Sequence, residues 1–196
     1  MPSRALPKEF SPEGEKFDFA SLGFHKPKDV PLISYVGKTT PYKGIHELLD
    51  ALGEYEGDFR LFFLSKGFLL DEIKEKVSSH PVLKEKVWFS DFVAPWAVPS
   101  ILRASDLLIH LENRFPVPIH APGQPYEGIA CSTPLLLSGE MFEKISRNFP
   151  NTKELFSVVE DPANIEDLKR ALGKSLANRT EGCENAKAIR EEWLTR

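Results

Sequence analysis

Short apolar runs and amphipathic stripes alternate along most of the chain. The runs have the length and composition of buried strands, and they cover residues 32–36, 61–64, 87–89, 107–111, 135–137 and 156–159. Between them, apolar residues recur at the three- and four-residue spacing that is typical of helices. This spacing or the local composition predicts helices around residues 45–52, 69–77, 98–102, 127–131, 140–147 and 165–176.

Regular alternation of strands and helices predicts an α/β fold. Strand–helix–strand units form right-handed crossovers, so the sheet is expected to be parallel and covered by helices on both faces. The fold class is therefore a Rossmann-like three-layer sandwich. In such a sheet, ligands bind beyond the carboxyl ends of the strands. The loops to inspect are those that follow Val36, Leu64, Phe89, Leu111 and Leu137.

The two ends of the chain differ from its middle. Residues 1–30 contain several prolines and no sustained periodicity, so they read as an extended lead-in. Residues 31–178 carry the alternating pattern and form the predicted Rossmann-like domain. Residues 179–196 are rich in charge and predict an amphipathic terminal helix with a solvated face.

Composition narrows the classes of protein that remain. The 196 residues are 41% hydrophobic and 28% charged, which is ordinary for one globular domain. Because 25 basic residues face 29 acidic ones, for a net charge of −4, the surface is not expected to bind nucleic acid. The two cysteines, Cys131 and Cys183, predict free thiols in a reducing compartment. No apolar run approaches a membrane span, so we expect a soluble, cytoplasmic protein.

The segment after the first apolar run is the first candidate for chemistry. Residues 37–44 contain Lys38 and Lys43, bracketed by Gly37 and Gly44, and a helix begins where they end. Amides at a helix start favour an anion, and two ammonium groups would add a diphosphate clamp. The alternative is that both lysines are solvated surface residues.

Two nucleotide-binding motifs are absent. A Walker A loop needs a glycine five residues before its final Gly-Lys pair, and that position is Leu32, inside the first run. The chain also lacks the Gly-x-Gly-x-x-Gly pattern of dinucleotide sites. Both a P-loop nucleotidase and a dinucleotide enzyme are therefore disfavoured.

The second candidate is a glutamate near a predicted helix start. Glu127 follows a proline-rich loop and precedes small residues that permit close packing. Its carboxylate could accept hydrogen bonds from a ribose diol. The alternative is a glutamate that only complements the helix dipole.

No metal site is predicted. The five histidines form no pair with metal-ligand spacing, and the sequence contains no Asp-x-Asp triplet. His110 and His120 fall near the predicted ligand edge, so either could line the site.

Taken together, these segments resemble the carboxyl-terminal, donor-binding domain of retaining GT-B glycosyltransferases of the large group-1 family. In that family the first strand ends in Gly-Arg/Lys, and Lys-Gly follows five residues after the basic residue. Gly37-Lys38 and Lys43-Gly44 match this pattern. Residues 127–135 resemble the family's Glu-Ala-Met-Ala-x-Gly-x-Pro-Val segment.

Weaker similarities extend the match over almost the whole chain. Residues 87–93 resemble the family's Val-x-Phe-x-Gly-x-Val strand, and residues 104–109 resemble its Ala-Asp-Val strand. Residues 1–12 resemble its interdomain linker. None of these motifs is specific to the family by itself, but their order and spacing along the chain are.

The resemblance implies roles for named residues. Lys38 and Lys43, with Gly37 and Gly44, would hold the donor diphosphate, and Glu127 would bind the ribose hydroxyls. No catalytic residue is assigned within this domain.

The resemblance also implies roles, less strongly marked, for a second set of residues. Gly123 and Gln124 would lie near the distal phosphate or the sugar, and Phe92 and Val93 near the base pocket. One position departs from the family: many members carry a sugar-contacting glutamate eight residues before the ribose one, and Ile119 stands there.

The implied activity is retaining transfer of a sugar from a nucleoside diphosphate, UDP or GDP, to an acceptor, without a metal. The nucleotide sugar is a substrate, and no cofactor is expected. The chain would lack an amino-terminal acceptor-binding domain, so it is expected to bind nucleotide and to be inactive alone, and whether Met1 is the native start stays open. Peripheral membrane association of a full-length enzyme stays open, and nucleic acid is not an expected partner.

Two other functions remain open. The first is a non-catalytic GT-B-like binding or assembly domain, in which Ile119 marks lost sugar chemistry. The second is a GT-B sugar-nucleotide epimerase, which the Lys-Gly and Glu-Gly-Ile-Ala segments disfavour.

Overall fold

A computed structural model describes residues 8–90, 93–117 and 120–195 of the chain. The strands are β1 Leu32–Lys38, β2 Arg60–Lys66, β3 Val87–Ser90, β4 Leu107–His110, β5 Leu135–Ser138 and β6 Ser157–Val159. They form one sheet in the order β3-β2-β1-β4-β5-β6, and every neighbouring pair is parallel. This sheet confirms the Rossmann-like α/β fold.

Eight helices connect and cover these strands in the described part of the chain. They are α1 Ile45–Gly53, α2 Leu70–Ser79, α3 Leu83–Lys86, α4 Val98–Ala104, α5 Gln124–Ala130, α6 Gly139–Ser146, α7 Ile165–Ala177 and α8 Arg179–Leu194. The pattern missed only α3, because its four residues are too few to show a helical stripe. No helix among the described residues is both long and apolar enough to cross a membrane.

Alternate residues of each strand pack on opposite faces of the sheet. On one face, Ile33 and Tyr35 of β1 join a core that includes the apolar stripes of α1, α2 and α7. On the other face, Leu108 of β4 and Leu135 of β5 pack under α4, α5, α6 and α8. Both faces of the central strands are buried, which explains why they read as continuous apolar runs.

One boundary differs from the prediction in a way that concerns the site. β1 continues two residues beyond the apolar run, so Gly37 and Lys38 belong to the strand and pair in register with Ser65 and Lys66 of β2. The connection to α1 therefore contains only residues 39–44.

The lead-in lies against the domain. Phe19 and Phe24 contact the buried ring of Phe62 on β2, with ring centroids 4.8 and 6.1 Å apart. The Arg103 guanidinium donates to the backbone carbonyls of Glu9, Ser11 and Glu15. The aromatic residues of the lead-in thus form part of the core, and the division at residue 30 stays a prediction.

Candidate functional site

The strand order creates a crevice between β1 and β4. From β1, the chain adds β2 and β3 on one side and β4, β5 and β6 on the other. The segments that leave the carboxyl ends of β1 and β4 therefore diverge, and ligands of such sheets bind in the opening between them. Both candidates from the sequence, residues 37–44 and the start of α5, lie at this edge.

The two predicted diphosphate lysines occupy different surroundings. Lys38 is exposed at the end of β1, and its side chain has no partner among the described residues. Lys43 is part-buried, and its ammonium forms an ion pair with the carboxylate of Glu112, two residues beyond β4. The structure therefore brings Lys43, but not Lys38, into a charged cluster.

Gly44 allows the turn that carries Lys43 into this position. Its φ is +60°, a region that residues with a Cβ rarely adopt. A Cβ on Gly44 would also lie 2.8 Å from the backbone carbonyl oxygen of Leu111. The close approach of the turn to the end of β4 therefore requires glycine. The first turn of α1 has no side-chain cap, so its N–H groups remain available to a ligand.

Glu112 is a fully buried carboxylate surrounded by cations and imidazoles. Lys144 of α6 donates to its Oε1 over 2.7 Å, and Lys43 binds the other oxygen. The Nδ1 of His120 lies 3.1 Å from the carboxylate, and the Nε2 of His110 lies 3.9 Å away. Buried carboxylates are stable only when paired in this way.

These partners keep Glu112 ionised. Burial by itself raises the pKa of Glu112, but the hydrogen bonds from Lys144, Lys43 and His120 outweigh burial and lower this pKa to about 2. Glu112 therefore carries its charge at neutral pH and fixes the two ammonium groups on its two oxygens.

Phe115 lies beside the same cluster. Its ring stacks on the imidazole of His120, with centroids 4.1 Å apart, and packs against Tyr42. The ammonium groups of Lys43 and Lys144 lie 5.3 and 5.6 Å from the Phe115 centroid. One aromatic ring therefore lies next to both lysines.

His110 and Gln124 form a second buried pair at this edge. The Nδ1 of His110, the last residue of β4, hydrogen-bonds the side-chain oxygen of Gln124, the first residue of α5. Burial, and after it the charge of Lys43, lower the pKa of His110 to about 4 against the opposing effects of Gln124 and Glu112. The imidazole is therefore neutral at pH 7, and because the Gln124 oxygen can only accept, Nδ1 carries the proton.

Buried polar atoms without a partner lie on segments at the carboxyl edge of the sheet. Within the described ranges, four buried side-chain atoms have no hydrogen-bond partner: Thr39 Oγ1, Thr40 Oγ1, His110 Nε2 and Gln124 Nε2. Two follow β1 and two lie where β4 leads to α5. Each such atom costs about 1–3 kcal/mol, so buried polar groups are almost always paired. His110 and Gln124 lie at the crevice itself, whereas Thr39 Oγ1 lies against Gly67, which follows β2.

Glu127 lies in the first half of α5, at the same edge of the sheet. Its side chain is partly exposed and makes interactions with the protein. The next residue, Gly128, faces Leu108 and Leu135, and a Cβ there would come within 2.7–2.9 Å of their side chains. The predicted close packing of the small residues after Glu127 is therefore observed. Gly123 directly precedes α5, at its N-cap position.

The predicted base pocket is described only in part. Val93 follows β3 and packs against the core cluster of Leu32, Phe62 and Leu64. Phe92 and Ile119 lie outside the described residues.

Sequence reasoning missed the centre of the cluster. Glu112 and Lys144, together with Glu140, were not among the predicted site residues, although the loop after Leu111 was marked for inspection. A charged residue directly after a short run that is apolar except for His110 was an available signal for Glu112. The sequence offered no such signal for Lys144, because a lysine in an amphipathic helix normally faces solvent.

The described residues contain no group of three or more histidine, cysteine, aspartate or glutamate side chains that could hold a metal ion. The chemistry that this arrangement supports is the binding of an anion and of hydroxyl groups. Lysine ammonium groups and helix-terminal amides suit phosphate oxygens. The neutral imidazole and the amide offer an acceptor and a donor for hydroxyl groups.

Comparison with known proteins gives one family match. The family model for glycosyl transferases group 1 matches residues 19–193. No curated protein sequence matches the chain.

Several solved structures share the fold. The C-terminal domain of the glycosyl transferase group 1 family protein LpcC from Francisella tularensis is 17% identical, with a TM-score of 0.68 over 86% of this chain and 88% of that one. Sucrose-phosphate synthase from Thermosynechococcus elongatus is 22% identical, with a TM-score of 0.71 over 90% of this chain and 43% of that one. HepE from Anabaena, solved with UDP and glucose, is 16% identical, with a TM-score of 0.71 over 98% of this chain and 49% of that one. The chain thus spans less than half the length of the last two.

Proposed function

Because the chain belongs to the glycosyl transferases group 1 family, we propose that it is the donor-binding domain of an enzyme that transfers a sugar from a nucleoside diphosphate sugar to an acceptor. The observation that carries this proposal is the set of unpartnered buried atoms of His110 and Gln124 beside the Lys43–Glu112 ion pair, at the crevice between β1 and β4. The start of α1, which has no side-chain cap, supplies backbone N–H groups at the same edge of the sheet, where a diphosphate would bind.

In this proposal, Lys43 keeps its ion pair with Glu112 while it binds the donor. An ammonium group has three N–H donors, and Glu112 accepts one of them in the described structure. The other two can reach phosphate oxygens, so the ion pair aims the ammonium at the ligand. Lys38 adds a second cation from the end of β1, and Gly37 and Gly44 let the backbone approach the phosphates.

The remaining roles follow the order of the loops. Glu127 binds the ribose hydroxyls, and Gly123 and Gln124 contact the distal phosphate or the sugar. Phe92 and Val93 line the base pocket. When the glycosidic bond breaks, the departing diphosphate gains negative charge, which positioned ammonium groups and helix amides stabilise without a metal. The family resemblance supports retention of configuration at the transferred sugar.

The acceptor site belongs to another domain in this proposal. The chain spans less than half of the sucrose-phosphate synthase and HepE chains that share its fold. We therefore expect this chain alone to bind nucleotide and to transfer no sugar.

Calorimetric titration with UDP, GDP and ADP and with their sugar conjugates tests the proposal. At least one nucleotide series should bind, and UDP is the first to try because HepE was solved with UDP. If the folded protein gives no binding signal with any of these ligands, the proposal is overturned.

The variant Lys43→Met sharpens this test. It should weaken binding by about 1–3 kcal/mol, the value of a hydrogen bond to a charged group. Lys84→Met is the matched control, since Lys84 is exposed on α3 at the opposite edge of the sheet and loses the same charge. Equal effects of the two variants would remove Lys43 from the site.

A further inference from the structure

The cluster around Glu112 contains a pair of residues that the proposed diphosphate site does not use. Glu140 and Lys144 lie one turn apart on α6 and form a 2.6 Å ion pair. Lys144 also binds Glu112, so it connects α6 to the cation that faces the diphosphate. The side chains of Lys144 and Glu140 remain 16% and 25% exposed, whereas Glu112 is 0% exposed.

The position of this pair relative to Lys43 defines what it can contact. Lys43 approaches the crevice from β1, and α6 follows β5, on the far side of β4. A donor with its diphosphate on Lys43 therefore reaches the Glu140–Lys144 pair only with the part that extends away from β1. The proposed function already gives the ribose to Glu127 of α5, so the part of the donor left for this pair is the transferred sugar.

The hydrogen-bonding capacity of the pair suits hydroxyl groups. Lys144 uses two of its three N–H donors, on Glu112 and Glu140, and keeps one. Glu140 accepts from Lys144 and, over 3.3–3.4 Å, from the backbone N–H of Phe115, which leaves lone pairs for a further donor. One free donor beside one free acceptor matches neighbouring hydroxyl groups, each of which can donate and accept.

We propose that Glu140 and Lys144 determine specificity for the transferred sugar, with Glu112 as the positioning residue that holds Lys144 beside Lys43. This inference rests on the proposed donor-binding function. It also commits to the class of sugar. Glu112 is fully buried between Lys43 and Lys144, so the carboxylate that faces the sugar is that of Glu140, and a negatively charged sugar is repelled while a neutral one is preferred.

The test compares three ligands that share the base that the wild-type chain binds: the nucleoside diphosphate, its neutral-sugar conjugate and its uronic-acid conjugate. Calorimetry is run at pH 8 on the wild type, Lys144→Met, Glu140→Gln and Lys43→Met. Lys144→Met and Glu140→Gln should weaken binding of the neutral-sugar conjugate roughly tenfold and change the affinity for the nucleoside diphosphate less than about twofold. Lys43→Met should weaken both ligands by the same factor.

Glu140→Gln protects the test against a folding defect. Lys144→Met removes one partner of a buried carboxylate and could destabilise the fold, whereas Glu140→Gln leaves the Lys144–Glu112 contact in place. Glu140→Gln should also narrow the preference of the wild type for the neutral over the uronic-acid conjugate, because it removes the repelling charge of Glu140.

Each outcome decides one claim. If Lys144→Met and Glu140→Gln lose affinity equally for the nucleoside diphosphate and for its sugar conjugate, or if neither variant loses affinity, the role of the pair in sugar recognition is overturned. A wild type that prefers the uronic-acid conjugate would overturn the neutral-sugar assignment. A wild type that binds no nucleotide would instead defeat the proposed function, so the two failures are distinguishable.

Discussion

Replacing Glu112 with glutamine should destabilise the protein in a way that depends on pH. The substitution keeps the shape of the side chain and removes a charge that Lys43, Lys144 and His120 surround in a fully buried position. Three donors then face one neutral amide, and two part-buried ammonium groups lose their common counter-ion.

The magnitude follows from the pKa of Glu112, which folding lowers from the ordinary value of 4.5 to about 2. This difference corresponds to about 3 kcal/mol of stability at neutral pH, as an upper value. Because the folded pKa is the lower one, the contribution is complete above pH 4.5 and is lost as the pH falls toward 2. Linkage predicts that about 2 kcal/mol of it disappears between pH 7 and pH 3.

Urea unfolding of the wild type and of Glu112→Gln at several pH values between 7 and 3 measures this loss. Groups that titrate alike in both proteins cancel in the difference between them. Glu72→Gln is the control, because Glu72 is an exposed glutamate of α2 and should change stability by less than about 0.5 kcal/mol at any pH. A stability gap between the wild type and Glu112→Gln that stays constant from pH 7 to pH 3 would refute the role of the buried charge.

Three further results are expected. Gly44→Ala should lower the free energy of unfolding, measured by heat or urea, by about 1–3 kcal/mol, because the φ of Gly44 is positive and Leu111 is too close for a Cβ. Gly173→Ala, in the interior of α7, should instead raise it by about 0.5–1 kcal/mol, and similar effects at both positions would contradict the steric argument. The imidazole of His110 should titrate near pH 4 in an NMR pH series, since burial lowers its pKa, and a midpoint above 6 would exclude the buried neutral form. Arg103→Met should release the lead-in and speed limited proteolysis around residues 9–16, and an unchanged cleavage rate would show that this arginine does not anchor it.

The fold was almost entirely predictable. Each predicted strand is present, because both faces of a parallel sheet are buried and its strands must be apolar throughout. A helix as long as α7 is predicted by its periodic apolar stripe. The sequence pattern did not predict the short helix α3 or the extension of β1 to Lys38. In these two places backbone pairing and turn geometry decide the structure, and neither leaves a hydrophobic pattern.

The site was predictable only where chain connectivity determines it. The sequence by itself placed residues 37–44 and the start of α5 at the carboxyl edge of the sheet, because the order of strands and loops fixes which loops meet there. It also identified Lys43 as a candidate cation.

Only the tertiary structure decided what surrounds that cation. Glu112 lies 69 residues from Lys43 and 32 from Lys144, and the three meet because β4 lies between β1 and β5. The pairing of the buried carboxylate and its low pKa arise from this meeting. Local sequence determines which elements form, whereas electrostatics and hydrogen bonding act through space, between residues that the order of the chain keeps apart.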